Sequence, residues 1–318
     1  MAQVTLRQMA ALLKEQGPYR IVYHIRPDGD CIGSAYALAM ALQSIGKACA
    51  VAGDYPVPGP YLPFAEKLRE DSPESPLNIA VDASSPDRLG SFGALPFAFC
   101  IDHHLHNSVP AKYTYAEDTA GACSEIILKL IEEMGVTVTK EMADLLFLAL
   151  VTDTMCFRTD DTTQQSFQTA AALAGYGADI VGIARKTMFL RSRQRLALEE
   201  KLQNSFHYTC GGLVLTGLIT LQDLAEADIQ DCELEGINSF IDRVEEVLIG
   251  VTIRELPDGT TRCSFRTKGR LSADEICRSL GGGGHFHAAA CVLPVPVREA
   301  RAVIEPICGD YLRQHGTV

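Results

Sequence analysis

The chain has 318 residues, of which 47% are apolar and 21% charged, and this composition is typical of a folded globular protein of about two domains. A formal net charge of −12 argues against a protein that tracks along polynucleotides, although bound cations and a few arginines could still attract a small phosphorylated substrate. Eleven cysteines without a Cys-x-x-Cys pair argue against a disulfide framework and against a thiolate zinc site.

The chain begins with MAQVTLRQMAALLKEQ, which predicts an amphipathic helix rather than a signal peptide. No apolar run in the sequence reaches the roughly 18 residues that a membrane span requires. We therefore expect a soluble, cytoplasmic protein that has no membrane partner.

Strand and helix patterns alternate through the first half of the chain. Short apolar segments predict three strands, over Tyr19–His24, Leu77–Asp82 and Phe97–Asp102. Longer patterns predict helices, over Ile32–Ile45, Ala120–Glu133 and Met142–Asp153. This alternation predicts an α/β domain with a doubly wound, mostly parallel sheet.

Carboxylates and imidazoles follow these apolar segments, and they are His24, Asp28, Asp30, Asp82, Asp102, His103, His104 and Asp153. Because open parallel sheets place their ligands at the carboxyl ends of the strands, we expect these side chains to meet at one edge. Such donors can hold divalent metal, with Asp28 and Asp30 in a single loop. Taken singly, the two aspartates could instead form a turn, and Asp82 could cap a helix.

The charge pattern changes near residue 191 and predicts three parts: a metal-binding domain over 1–190, a linker helix over 191–205 and a substrate-binding domain over 206–318. In the last part, Asp258–Gly259 marks the turn of a hairpin. Helices are predicted over Ala273–Leu280 and Arg298–Tyr311. These elements indicate a smaller α+β domain.

Two segments of the second domain are candidates for substrate binding. The run Gly281–Gly284, followed by His285, would leave backbone amides free for an anion, although it could also be a turn that ends a helix. In the segment CSFRTKGR, Arg266 and Lys268 would share one face of a strand, where they could contact a phosphate or a base. The alternative is an exposed edge strand that these charges keep soluble.

The pattern as a whole resembles the DHH phosphoesterase superfamily with its DHH-associated C-terminal domain. The likeness is carried by His24-x-x-x-Asp28-x-Asp30, Asp82, Asp102-His103-His104, Asp153 and Gly-Gly-Gly-Gly-His, in this order along nearly the whole chain. Five motifs in register are strong evidence where each alone is weak. The chain is most similar to the branch of small bacterial oligoribonucleases that also dephosphorylate 3′-phosphoadenosine 5′-phosphate, the nano-RNases.

The resemblance implies six metal ligands: His24 and Asp28 for one ion, Asp30, His103 and Asp153 for the other, and Asp82 for both. This thiolate-free set suits two divalent cations, with Mn²⁺ favoured over Mg²⁺ or Co²⁺, which would polarise a phosphate and activate water. His104 would contact the phosphate or act as general acid, and Asp102 would orient a histidine.

The resemblance also implies substrate contacts, and the residues are Arg158, Arg266, Lys268, Gly283, Gly284 and His285. For Arg158, a surface salt bridge is an equal alternative. The expected substrates are short single-stranded RNA, linear diadenylate and 3′-phosphoadenosine 5′-phosphate, with nucleoside 5′-monophosphates as products. Long double-stranded nucleic acid is not expected as a partner. The oligomeric state is left open, and a homodimer is compatible with the sequence.

Two alternative functions share parts of this pattern. An inorganic pyrophosphatase of the same superfamily would have the metal ligands but not the glycine run and basic strand, and a non-catalytic nucleotide-binding protein would lack a metal ligand. The chain also departs from the family at Cys31, where alanine is common, and at Met155, Cys156 and Ala290, near or at positions where glycine is usual. These changes predict a narrower substrate cleft with the metal ligands intact.

Overall fold

The computed structural model describes residues 2–66, 73–230, 234, 236–238 and 243–316. The chain divides into two compact units, Met1–Leu190 and Arg191–Val318. In the described residues, no helix is both long and apolar enough to cross a membrane.

The described part of the first unit has a sheet whose strands are β1 (Ala2–Gln3), β2 (Tyr19–Val22), β3 (Cys49–Ala52), β4 (Leu77–Val81), β5 (Phe97–Asp102) and β6 (Ala111–Ala116). Its α-helices are α1 (Leu6–Glu15), α2 (Gly29–Ser44), α3 (Leu62–Ala65), α4 (Cys123–Glu133), α5 (Lys140–Asp153), α6 (Gln164–Gly175) and α7 (Ile180–Ala184). The strand order is β1-β6-β5-β4-β2-β3, and every pairing is parallel. The predicted parallel α/β fold is therefore confirmed.

Both faces of this sheet are buried, as strand β4 illustrates. Ile79 and Val81 lie in one core with side chains of α1, α2, α4 and α5, whereas Ala80 lies in another with Leu89, from the 3₁₀ segment Pro86–Ala94. Successive residues of a strand point to opposite faces, so each strand of such a sheet is a continuous apolar run. This is why the strands were recognisable in the sequence.

Helices α2 and α5 pack closely because α2 has glycines where they cross. A Cβ atom at Gly33 would lie 2.3 Å from the carbonyl oxygen of Leu145, and one at Gly29 would lie 2.3 Å from Oγ1 of Thr152. Glycine permits this approach, which larger residues would prevent. The beginning of α2 and the end of α5 are thereby held together.

The described part of the second unit has a mixed sheet of β7 (His207–Thr209), β8 (Val214–Ile219), β9 (Ile249–Glu255), β10 (Thr261–Thr267), β11 (Gly283–Gly284) and β12 (Ala288–Leu293). The α-helices are α8 (Arg193–Asn204), α9 (Leu221–Ala227), α10 (Ala273–Ser279) and α11 (Val297–Gln314). The order is β11-β12-β10-β9-β8-β7, with β8 and β9 parallel and the other pairings antiparallel.

Helix α8 occupies the segment predicted as a linker. Its Leu198 and Leu202 are buried with Ile219 and Leu224 of the second unit, while Leu196 is exposed. The two leucines are one helical turn apart and form a short apolar stripe. Helix α8 is therefore part of the core of the second unit.

Candidate metal centre

Eight predicted side chains meet at the carboxyl edge of the parallel sheet. Seven of them, together with Cys31, form three groups whose donor atoms lie within 4.8 Å of one another: His24, Asp28, Cys31 and Asp82; Asp30, His103 and Asp153; and Asp82, His103 and His104. Asp102 is connected to the cluster through His104. Nδ1 of His104 lies 2.7 Å from Oδ1 of Asp102. The ends of β2, β4 and β5 and the facing ends of α2 and α5 supply the cluster.

Asp82 is at the centre of the cluster. Its Oδ2 atom lies 3.7 Å from Nε2 of His24, and its Oδ1 atom lies 3.4 Å from Nε2 of His103. The residue is buried and has a left-handed backbone with φ of 54°, which aspartate tolerates better than most residues. In the described structure, the buried Oδ1 atom receives no hydrogen bond of normal geometry. A buried carboxylate oxygen without a donor fits a bound cation.

Backbone carbonyls orient the two central imidazoles. Nδ1 of His24 lies 2.9 Å from the oxygen of Ile25, and Nδ1 of His103 lies 3.1 Å from the oxygen of Ala120. A proton on Nδ1 satisfies both contacts, and the Nε2 atoms face the carboxylates. Both histidines are thus oriented as metal ligands.

Asp28 combines two roles that the sequence presented as alternatives. It is the N-cap of α2, where its Oδ1 atom accepts a hydrogen bond from the Cys31 amide at 3.0 Å, while its Oδ2 atom lies 3.3 Å from Nε2 of His24. The expectation that Asp28 and Asp30 share one loop was wrong. The cap starts the helix at Gly29, so Asp30 lies in its first turn.

The beginning of α4 binds the Asp30 carboxylate. The Cys123 amide donates to Oδ2 at 2.6 Å, the Ser124 amide donates to Oδ1 at 3.2 Å, and the Ser34 hydroxyl donates to Oδ1 at 3.0 Å. Free amides at a helix N-terminus stabilise an anion. Sequence reasoning recognised residues near 124 only as a helix start, since nothing local links them to a residue more than ninety positions earlier.

His104 is held by a buried polar chain. The fully buried Asp102 accepts from Nδ1 of His104 through Oδ1, and Nδ2 of Asn107 donates to its Oδ2 atom at 2.6 Å. Asn107 also donates to the Ala83 carbonyl at 2.9 Å, next to Asp82. Asn107 was missed in the sequence, although its position five residues after Asp102, in a polar loop, was a usable signal. The chain fixes which way the His104 ring faces.

The cluster concentrates negative charge where water is scarce. Burial disfavours charged imidazole, yet the surrounding anionic groups prevail and raise the pKa of His24 and of His103 well above the usual value. Burial and the charge of Asp82 raise the pKa of Asp30 to about 7, and burial raises that of Asp153 well above its usual range. Despite burial, the neighbouring imidazoles hold the pKa of Asp82 well below its usual range. The site therefore attracts positive charge.

Cys31 lies among the possible ligand atoms, next to His24 and Asp28. Burial raises the pKa of its thiol to about 12, and the sulfur lies 3.5 Å from the carbonyl oxygen of Asp28. Metals bind the thiolate rather than the thiol. The carboxylate and imidazole donors are the better ligands, and they are the hard and intermediate donors that manganese and magnesium accept.

A left-handed turn follows Asp153. Met155, Cys156 and Phe157 have φ values of 47°, 60° and 61°. Each non-glycine residue in this region costs about 1–2 kcal/mol. The turn is held by the Cys156 amide, which donates to the Val151 carbonyl at 2.8 Å. Arg158 comes next and is exposed. Met155 and Cys156, near positions where glycine is usual in the family, thus adopt a backbone that glycine would adopt without strain.

The glycine run of the second unit does not have the free amides that the sequence predicted. The Gly282 amide donates to the Cys277 carbonyl at 2.8 Å, the Gly284 amide to Oδ1 of Asp274 at 2.9 Å, and the His285 amide to the Ala288 carbonyl at 2.9 Å. Gly283 and Gly284 pair with β12. The His285 side chain that follows the run is exposed.

The basic side chains of Arg266 and Lys268 already have hydrogen-bond partners, which the sequence did not predict. Nη1 of Arg266 donates to the Phe265 carbonyl at 3.0 Å, and Nζ of Lys268 donates to the Val244 carbonyl at 2.5 Å. Strand β10 ends at Thr267, so Lys268 lies just beyond it. A phosphate contact from Lys268 would replace an existing hydrogen bond.

The chain with this parallel sheet and this cluster belongs to the DHH family. The model described as DHH family, N-terminal domain, matches residues 19–150. The bifunctional oligoribonuclease and PAP phosphatase NrnA of Thermus thermophilus is 31% identical over 292 residues, which cover 91% of this chain and 88% of the relative.

Two further proteins are similar to this chain. A probable manganese-dependent inorganic pyrophosphatase of Enterococcus faecalis is 25% identical over 231 residues, covering 67% of this chain and 74% of that protein. The crystal structure of an exopolyphosphatase-related protein from Bacteroides fragilis superposes with a TM-score of 0.87 and 22% identity, covering 97% of both chains. The fold is thus shared over both units.

Proposed function

We propose that this chain is a metal-dependent phosphoesterase that hydrolyses short oligoribonucleotides, such as linear diadenylate, and 3′-phosphoadenosine 5′-phosphate. The observation that carries the proposal is the position of Asp82, whose carboxylate belongs both to the group of His24 and Asp28 and to the group of His103 and His104. One buried carboxylate shared by two groups is the arrangement that two neighbouring cations require. The relatedness to the Thermus thermophilus protein, over nearly its whole length, supports this choice of substrates.

Two divalent cations fit the donors, with Mn²⁺ as the favoured ion and Mg²⁺ or Co²⁺ as alternatives. His24 and Asp28 would hold one, Asp30, His103 and Asp153 would hold the other, and Asp82 would contact both. When bound, the cations supply Lewis-acid stabilisation of a phosphate and lower the pKa of water. The resolved hydrogen bonds to His24, His103 and Asp30 keep these ligands in place.

The remaining residues of the cluster have separate roles. His104 would donate a hydrogen bond or a proton to the phosphate ester, because its Nδ1 atom is occupied by Asp102 and its Nε2 atom is the other polar atom of the ring. Asp102 would hold that ring and stabilise its charged form. Arg158 is exposed and offers a phosphate contact from the first unit.

The second unit would bind the nucleotide through His285, Arg266 and Lys268, with Gly283 and Gly284 allowing close approach of the backbone. We retain residues 1–190 as the catalytic domain and 206–318 as the substrate-binding domain, with 191–205 as a linker helix that packs into the core of the second unit. All ten cysteines in the described residues are free thiols, which supports a cytoplasmic location. The proposed partner is a short single-stranded RNA or a small nucleotide.

The test is a parallel assay of the purified full chain with Mn²⁺. The substrates are linear diadenylate, a five-nucleotide RNA, a long RNA, 3′-phosphoadenosine 5′-phosphate and pyrophosphate. We expect hydrolysis of the short RNAs and the bisphosphorylated nucleoside, with release of nucleoside 5′-monophosphates. Rapid cleavage of pyrophosphate with none of the nucleotides would favour the pyrophosphatase alternative and reject this proposal. Binding without turnover would indicate a non-catalytic protein.

A further inference from the structure

Two phenylalanines form an exposed aromatic pair close in the chain to the metal cluster. The rings of Phe157 and Phe167 are stacked, with centroids 4.9 Å apart and an angle of 22° between their planes. Phe157 is partly buried against the main core of the first unit, whereas Phe167, on α6, is 56% exposed. One ring is therefore fixed by the core and the second extends the stack to the solvent.

The left-handed turn fixes the position of this pair. Phe157 is the third residue of the turn and follows Asp153 by four positions, or at most about 14 Å of chain. Its amide donates to Oγ1 of the buried Thr154 at 3.2 Å. Strained backbone persists where the surrounding structure holds it, and it concentrates at functional sites. The strained turn thus holds an aromatic ring four residues along the chain from Asp153, a proposed metal ligand.

We propose that the Phe157–Phe167 pair is a stacking platform for a nucleobase of the substrate. Aromatic side chains bind bases through their π faces, and every base has such a face, so the contact is tolerant of sequence. A stacked pair is already ordered, which reduces the entropy that binding costs. The inference rests on the proposed function, because it assigns a base contact to the same site. It predicts that short RNAs of different sequence bind with similar affinity.

The test compares two substrates of the full-length protein with Mn²⁺: linear diadenylate and its analogue in which hydrogen replaces both bases. In the Phe167→Ala variant, we expect the KM for diadenylate to rise by at least about fivefold with kcat retained. The abasic analogue should be hydrolysed by variant and wild type alike. Phe167→Trp should restore the low KM. Tyr176→Ala, which removes a partly exposed ring at the other end of the same helix, is the matched control and should behave as wild type.

Binding of adenosine 5′-monophosphate, measured by calorimetry, separates this inference from the proposed function. If the Phe167→Ala variant binds adenosine 5′-monophosphate at least about fivefold more weakly than wild type, the platform is supported. This holds even where wild type hydrolyses neither substrate, because absent hydrolysis would reject only the proposed function. Equal binding by the two proteins, or an equal loss of activity on both substrates, would overturn the platform.

Discussion

Nε2 of His103 lies 3.4 Å from Oδ1 of Asp82, and that oxygen receives no hydrogen bond of normal geometry in the described structure. We expect Asp82→Asn to reduce hydrolysis of diadenylate at least about 100-fold, since both proposed cations contact this carboxylate. The metal-free variant should be less stable than wild type, because the imidazoles that hold the pKa of Asp82 below its usual range lose a buried counter-charge, although asparagine tolerates the left-handed backbone.

The control for this variant is Asp87→Asn, which changes an exposed aspartate five positions along the chain. It should retain wild-type activity. Steady-state kinetics and thermal melting measure the two effects separately. Undiminished turnover by the Asp82→Asn variant would contradict a shared carboxylate.

Metal addition should stabilise the first unit. At a free Mn²⁺ concentration about 100 times the dissociation constant, binding contributes about 2.7 kcal/mol. For a unit of this size, that free energy raises the melting temperature by about 5–10 °C. Calorimetry with and without chelator gives the shift. The Asp82→Asn variant should show a much smaller one, and a shift of equal size in both proteins would place the metal elsewhere.

Asp102→Asn should reduce kcat by about 10–100-fold and leave KM and the Mn²⁺-induced thermal shift nearly unchanged. The fully buried carboxylate contacts His104 rather than the proposed metal ligands, so its loss affects the orientation of that ring. Kinetics with diadenylate measures kcat and KM, and calorimetry with Mn²⁺ measures the thermal shift. Asp118→Asn, at an exposed site, is the control. Loss of the thermal shift would instead assign Asp102 to metal binding.

Gly33→Ala should destabilise the protein by about 1–3 kcal/mol, because its Cβ atom would lie 2.3 Å from the Leu145 carbonyl oxygen and would push α2 away from α5. Gly175→Ala is a matched helical control with open space at its Cβ position, and it should be neutral or slightly stabilising. Denaturant unfolding of both variants measures the difference. Equal stability of the two would mean that the helix contact adjusts freely.

The sequence predicted three central strands of the parallel sheet and most of the cluster, because their signals are local. An apolar run that ends in Asp82, or in the Asp102–His103–His104 triplet, identifies both the strand and the side chain at its carboxyl end. Parallel pairing then brings these ends together without further information. For the same reason, the helices with long apolar patterns, such as α5, were recognisable.

Other parts of the site depend on contacts between distant segments and could not be predicted. The amides of Cys123 and Ser124 bind Asp30 only because α4 begins beside α2. The amide of Gly284 is occupied by Asp274, ten residues earlier, and so is not free for an anion. The left-handed turn at Met155 conflicts with its local preference and is maintained by the fold around it.

The proposed ligands come from three neighbouring strands and two helices but extend from His24 to Asp153 in the chain, so no short segment contains a complete site. A chain that has formed only β2 and α2 therefore has the Asp28 N-cap but lacks the proposed ligands Asp82, His103 and Asp153. Metal bound at the proposed site would therefore count correctly folded first units. In a preparation of this protein, metal content would measure folding quality as directly as catalytic capacity.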